Sequence, residues 1–361
     1  MTDSAFSLLE RAGLDREVAR QAVADALSGA DDGELFLEYL QSEALQFDNG
    51  RLKSASFDTN QGFGLRAIAG EAAGYAHSAE ISEAAIRRAG EKPFFIQINF
   101  VAPHDPLHWP PGRENAIDYR TLPLPANFRA GPAFDTGNVA GRDERIVPAP
   151  RTADEVKQER AIYFSLVENV DRQVGRIVQA LEEGGQLPHT VIIVTSDHGL
   201  ALGSHGLMGK QNQYDHTINV PLVMAGPGIP AGQRFAAQCY LRDLYPTVCE
   251  LTGVVPPPSV QGQSLVPVLR GQKTEVRDAI FGYFTDTQRM MRSADGWKLI
   301  WYPKIEKVQL FNVVSDPDEI RDLADDAGQA ERLERMKKRL GEWQREHHDP
   351  VPPLRLALRR P

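Results

Sequence analysis

Two short stretches hold residue types able to do hydrolytic chemistry. Residues 191–230 read V-I-I-V-T-S-D-H-G-L-A-L-G-S-H-G-L-M-G-K-Q-N-Q-Y-D-H-T-I-N-V-P-L-V-M-A-G-P-G-I-P. Asp197 beside His198 offers a hard anion and an imidazole, a usable pair of ligands for a divalent cation. Twelve residues past His198, beyond a loop punctuated by glycines, Lys210 brings a mobile ammonium that can reach an anionic ester. Far upstream, a Pro-punctuated loop places His104 and Asp105 just after the apolar run of residues 94–101.

The elements around these residues are expected to aim them. Residues 191–196 are apolar and β-branched, as in a strand buried on both faces of a parallel sheet. Such a strand carries Asp197 and His198 to its carboxyl end, where open α/β sheets place ligands. Residues 94–101 read as a second strand and 220–225 as a third. Between them, Tyr163, Leu166, Val170, Val174, Ile177 and Leu181 recur at helical steps over residues 153–183, and Gly184-Gly185 ends that helix. The order strand, loop, helix, strand predicts a right-handed crossover.

The S-D-H-G block, Lys210, and Y-D-H at 214–216 followed by V-P-L resemble the sulfatase family of the alkaline phosphatase superfamily, which includes phosphonate monoester hydrolases. A-P-H-x-P at residues 102–106 resembles the same family. The resemblance covers residues 92–348 and implies an α/β fold. The expected architecture is a partial alkaline-phosphatase-like mixed/parallel sheet with flanking helices and a C-terminal α+β subdomain, preceded by a small α+β domain. It implies a divalent cation, Ca²⁺ or alternatively Mn²⁺, on Asp197 and His198. It also implies an ester oxyanion on Lys210, and His104 at the ester or its leaving group. The implied substrate is a small sulfate or phosphonate ester. The implied domains are a fragment over 1–90, a truncated core over 91–274 and the subdomain over 275–361.

Two parts of the family pattern have no match. Its nucleophile is a Cys or Ser in C-x-P-S-R, but Cys239 is followed by Y-L-R and Cys249 by E-L-T, so both read as buried helical residues. Its second acidic pair has no counterpart either, because Asp31-Asp32 precedes a strand and is followed by Gly, as in a turn. A cation held by Asp197 and His198 alone is expected to bind weakly. An ester hydrolase with little or no turnover follows.

Residues 1–90 have a different texture. A helix is expected over 5–27, and Asn49-Gly50 between apolar runs at 35–47 and 51–57 predicts a hairpin. Two more short strands are expected in 61–70 and 72–77. The run Gln61 through Ser82 resembles the amino-terminal domain of the TldD/PmbA zinc peptidases, whose zinc motif has no match in this chain. His77 alone carries no function. An alternative is therefore a noncatalytic module docking onto a TldD/PmbA-type subunit, or a non-functional fusion of the two parts.

A formal net charge of -9 excludes a nucleic-acid binder, which needs a basic stripe. No apolar run reaches the length of a membrane span, and the first residues lack a basic, then apolar, leader pattern. Cytoplasmic location is the default expectation. Residues 107–150 read as a long irregular excursion, with arginines 113, 120, 129, 142 and 145 taken as solvated surface and anion attraction as the alternative. His108, His205 and His216 are read mainly as loop or packing residues. An exposed apolar sheet edge is expected, and with it low stability or pairing with a second copy.

Overall fold

A computed structural model describes residues 15–27, 32–48, 51–69, 72–78 and 95–354. The chain divides into two units, Met1–Ala102 and Pro103–Pro361.

In the first unit, helix α1 spans Arg16–Ala26. Asp15 starts it, its carboxylate accepting the backbone N–H groups of Glu17 at 2.8 Å and Val18 at 3.3 Å, donors that no helical carbonyl can satisfy. The remainder of the expected helix, residues 5–14, lies outside the described residues. Three antiparallel strands follow, β1 (Asp32–Asp48), β2 (Arg51–Ala69) and β3 (Ala72–Ser78), in the order β1-β2-β3. Asp48 pairs with Arg51, so the hairpin closes across Asn49-Gly50, although those two turn residues are outside the described set. The sequence reading broke the second half of the meander into separate strands at 51–57 and 61–70. In the structure β2 runs through, with Gly62 and Gly64 held in register opposite Glu38 and Phe36.

The second unit begins with the loop that carries His104. Helix α2 (Ala153–Glu183) is the longest described helix and has the predicted bounds. Thr152 and Glu155 form a reciprocal capping box, Thr152 N donating to Glu155 Oε2 at 2.8 Å and Glu155 N to Thr152 Oγ1 at 3.3 Å. Its buried side chains are Val156, Ala161 and Ser165, whereas the expected stripe from Tyr163 to Leu181 is only half-buried and Val167 is exposed.

Strands β4 (Ile192–Thr195) and β5 (Leu222–Ala225) pair antiparallel, Ile192 opposite Ala225 and Thr195 opposite Leu222. This corrects the expected mixed or parallel sheet: every strand pairing among the described residues is antiparallel. Two features account for it. Residues 95–101, the expected parallel neighbour, form no strand. The chain after β4 also folds back on itself, with Thr195 Oγ1 donating to the Pro221 carbonyl at 2.9 Å, so β5 returns in the opposite direction. Nor is β4 buried on both faces. Val194 is 37% and Val223 59% exposed, which a doubly covered parallel sheet would not allow.

After helix α3 (Leu244–Thr252), ended by Gly253 at φ +73°, four strands form a sequential antiparallel sheet. These are β6 (Ala279–Phe284), β7 (Gln288–Ser293), β8 (Trp297–Tyr302) and β9 (Lys307–Asn312). Period-two alternation sends Leu299 and Leu310 to one face, where they pack with Leu333, Met336 and Leu340 of helix α4 (Ala330–Glu346). Ile300 and Phe311 go to the other face and pack on Ala201, Leu207 and Tyr214. The sheet is therefore the floor on which the loop around Lys210 rests. Among the described residues, no helix is long and apolar enough to cross a membrane.

Candidate ester-anion site

The loop between β4 and β5 doubles back on itself through Ala201 N to Gly209 O at 3.0 Å and Gly203 N to Leu207 O at 2.8 Å. Its far limb is fixed from the excursion loop. The single turn Asp143–Arg145 presents Glu144, whose carboxylate accepts the N–H groups of Met208 at 3.0 Å and Gly209 at 2.9 Å. Arg151 pairs with that carboxylate at 2.7 Å and also donates to the carbonyls of Val147 and Gly206. Gly209 is needed here because a Cβ on it would lie 2.6 Å from the Cβ of Asp143.

This scaffold aims Lys210. Its Nζ lies 3.0 Å from His104 Nε2, 3.0 Å from Asp105 Oδ1 and 3.9 Å from Asp143 Oδ2. Arg142 closes the cluster, Nη2 reaching Asp105 Oδ2 at 3.2 Å and Asp143 Oδ1 at 2.7 Å. Two cations therefore face two carboxylates. Asp143 is 1% exposed and its Oδ2 has no hydrogen-bond partner among the described residues.

Partial burial would raise the Asp105 carboxyl, but the hydrogen bond and charge of Lys210, helped by the charge of Arg142, hold it below the usual carboxylate range. The Arg142 guanidinium is pushed up by its hydrogen bond to Asp143. His104 Nδ1 sits 2.5 Å from the Asp105 carbonyl, which can only accept, so Nδ1 carries the proton and Nε2 accepts from Lys210. That neutral tautomer fits beside the ammonium, whereas an imidazolium would set two cations 3.0 Å apart.

Asp197 and His198 form a separate group at the end of β4. The Asp197 carboxylate accepts the His198 N–H at 2.9 Å and lies 3.4 Å from its Nε2, with a side chain 77% exposed. Its charge also reaches Tyr163 of α2, whose hydroxyl is raised chiefly by burial and then by Asp197. A hard divalent cation takes about six oxygen ligands. This pair gives one carboxylate and one imidazole, already turned toward each other, and among the described residues no set of three or more His, Cys, Asp or Glu is placed to hold an ion. On its own the donor set does not fit Ca²⁺ or Mn²⁺.

The structure thus brings His104 and Lys210 together and places Asp197 with His198. The sequence reading missed Asp143, Glu144 and Arg151 and put Arg142 with the solvated arginines. They lie in a stretch without periodicity, and only the D-E pair at 143–144 hinted at more than surface. His205 and His216 pack on Tyr214, the His205 ring stacked at 3.8 Å between centroids. Asp215 beside them anchors Lys298 at 2.8 Å and Arg292 at 3.0 Å. Cys249 is buried in α3, and burial raises the Cys239 thiol, with the Asp243 charge adding to it.

The chain resembles hydrolases of the sulfatase and phosphoesterase class. The Sulfatase family profile matches residues 10–254, and the chain belongs to that family, within the alkaline phosphatase superfamily. A second profile, N-sulphoglucosamine sulphohydrolase, C-terminal, matches residues 203–346. The chain is 29% identical over 259 residues to an arylsulfatase of Clostridium perfringens, covering 70% of this chain and 53% of that enzyme. It is 26% identical to the solved phosphonate monoester hydrolase from Silicibacter pomeroyi, with a TM-score of 0.57 over 69% of this chain and 55% of that one. A further solved structure, in complex with its substrate D-glucosamine-2-N,6-O-disulfate, is 28% identical with a TM-score of 0.51, covering 56% of this chain and 44% of that one. The chain spans about half the length of these relatives. Most of residues 1–90 falls inside the sulfatase match, and the resemblance to TldD/PmbA peptidases gains no support.

Proposed function

We propose that this chain binds a small sulfate ester or phosphonate monoester as an anion on Lys210, with His104 at the leaving oxygen, and turns it over slowly or not at all. The observation that carries this reading is the 3.0 Å approach of Lys210 Nζ to His104 Nε2, two residues 106 positions apart held by a buried scaffold. The sulfate and phosphonate esters come from the names of the similar enzymes. Slow turnover follows from the nucleophile. No Cys or Ser stands in the C-x-P-S-R pattern, and a thiol raised by burial, as in Cys239, is a poor attacking group. What remains is direct attack by water, unassisted by covalent catalysis.

Purified protein mixed with 4-nitrophenyl sulfate, and separately with a 4-nitrophenyl phosphonate ester, tests this. Saturable binding without nitrophenol release above the buffer rate is expected. Rapid release abolished by His104→Ala would show an intact hydrolase instead, and failure to bind either ester would remove the reading.

A further inference from the structure

Arg142 was the arginine of the excursion loop least distinguishable from its neighbours in sequence, yet its contacts differ from theirs. Arg113 is spent on Glu168 at 2.6 Å and Arg120 on Asp118 at 3.4 Å, each in an exposed pair away from Lys210. Arg142 instead shares Asp105 with Lys210: the lysine holds Oδ1 at 3.0 Å and the arginine holds Oδ2 at 3.2 Å. One carboxylate therefore keeps the two cations within the span of a single small substrate. Asp143 holds the same guanidinium, its Oδ1 accepting from Nε at 2.7 Å and pairing with Nη2 at 2.7 Å.

The two cations are not equivalent. The Lys210 side chain is 13% exposed and enclosed by its partners, whereas the Arg142 side chain is 65% exposed. Among the described contacts its Nε and Nη2 are taken and Nη1 is not, so the two Nη1 N–H groups are left for a ligand. A charged N–H donor of this kind suits the oxygen of a second sulfate or of a carboxylate, as a charge-assisted contact.

We infer that Arg142 is a specificity-determining residue that selects esters carrying a second anionic group, such as a doubly sulfated or a carboxylated monosaccharide, over singly charged ones. This rests on the proposed ester site at Lys210. The first sulfate takes the place of Asp105 on Lys210. Asp105 stays on Arg142 through Oδ2, and the second anion meets the Nη1 N–H groups that no described contact takes. A substrate with only one anion leaves that donor without a partner.

The test is calorimetric titration of the full chain with glucosamine-6-sulfate and with glucosamine-2-N,6-O-disulfate, in wild type, Arg142→Ala, Arg142→Lys and Lys210→Ala. Wild type is expected to prefer the disulfate by about tenfold, the size of one charge-assisted contact. Arg142→Ala should bring that ratio close to one, and Arg142→Lys should restore part of it, since it returns charge without the fork. Circular dichroism of each variant separates lost specificity from lost folding. A wild-type ratio near one, or a preference that survives in Arg142→Ala, overturns the inference while leaving the ester site standing. No binding of either sugar by wild type overturns both. An equal loss of both ligands only in Lys210→Ala supports the ester site and isolates the selectivity to Arg142.

Discussion

Glu144 and Arg151 form a buried ion pair at 2.7 Å directly beneath the loop that presents Lys210, with side chains 9% and 2% exposed. The pair is also a hub, since Glu144 takes two backbone N–H groups and Arg151 three carbonyls. Arg151→Ala leaves a desolvated carboxylate without its cation. Urea unfolding should show a loss of about 3–5 kcal/mol, and ester binding should fall as the loop loosens. A loss under about 1 kcal/mol would place the pair among weak surface contacts.

Asp105 is the built-in competitor of the substrate, because it occupies Lys210 in the absence of an ester. Asp105→Asn removes its charge with little change of shape. Affinity for a sulfate ester should rise about three- to tenfold and become more sensitive to salt as the net charge of the pocket turns positive. Titrations at low and high ionic strength read both effects, and unchanged affinity would mean that Asp105 does not compete.

The His205 imidazole is lowered from 6.5 to about 4, first by burial and then by the charges of Lys298 and Arg129, against the opposing Asp318 carbonyl and Asp316 carboxylate. Below pH 6.5 the unfolded chain takes up a proton that the folded chain refuses until about pH 4. Stability is therefore full above pH 6.5 and declines as pH falls through that window. His205 alone should remove roughly 2 kcal/mol between neutral pH and pH 5. His216, pushed well below its ordinary value by burial and then by His205 and Lys298, acts in the same direction. Urea melts at both pH values check this. His205→Asn, which tolerates the local φ of +55°, should flatten the dependence.

Asp197 and His198 supply two of the roughly six ligands that a hard cation takes. Ca²⁺ at about 1 mM should then raise the melting temperature by less than ~1 °C, and a chelator should lower it no further. A rise of several degrees, lost in Asp197→Ala, would show that these two residues hold an ion tightly.

The sequence carried the long helix and named both partners of the Lys210–His104 contact, but not the direction of the sheet. Helix α2 was readable because its apolar recurrence and the closing Gly184-Gly185 are both local to the sequence. Strand pairing was not, since an apolar run such as 220–225 is compatible with either direction until its partner is known. Residues 95–101, described as irregular, give β4 no parallel neighbour, and Val194 and Val223 are exposed. His104 and Lys210 were found from residue type and motif order. Asp143, Glu144 and Arg151 could not be, because their roles come from contacts to residues 206–210 that no local spacing encodes.

The most direct test of the site is the affinity of the full chain for 4-nitrophenyl sulfate, measured by calorimetry in wild type and in Lys210→Met. The ammonium held against His104 predicts saturable binding that weakens at least about tenfold in the variant, in keeping with the loss of a charge-assisted contact. Undiminished affinity in folded Lys210→Met would contradict the account.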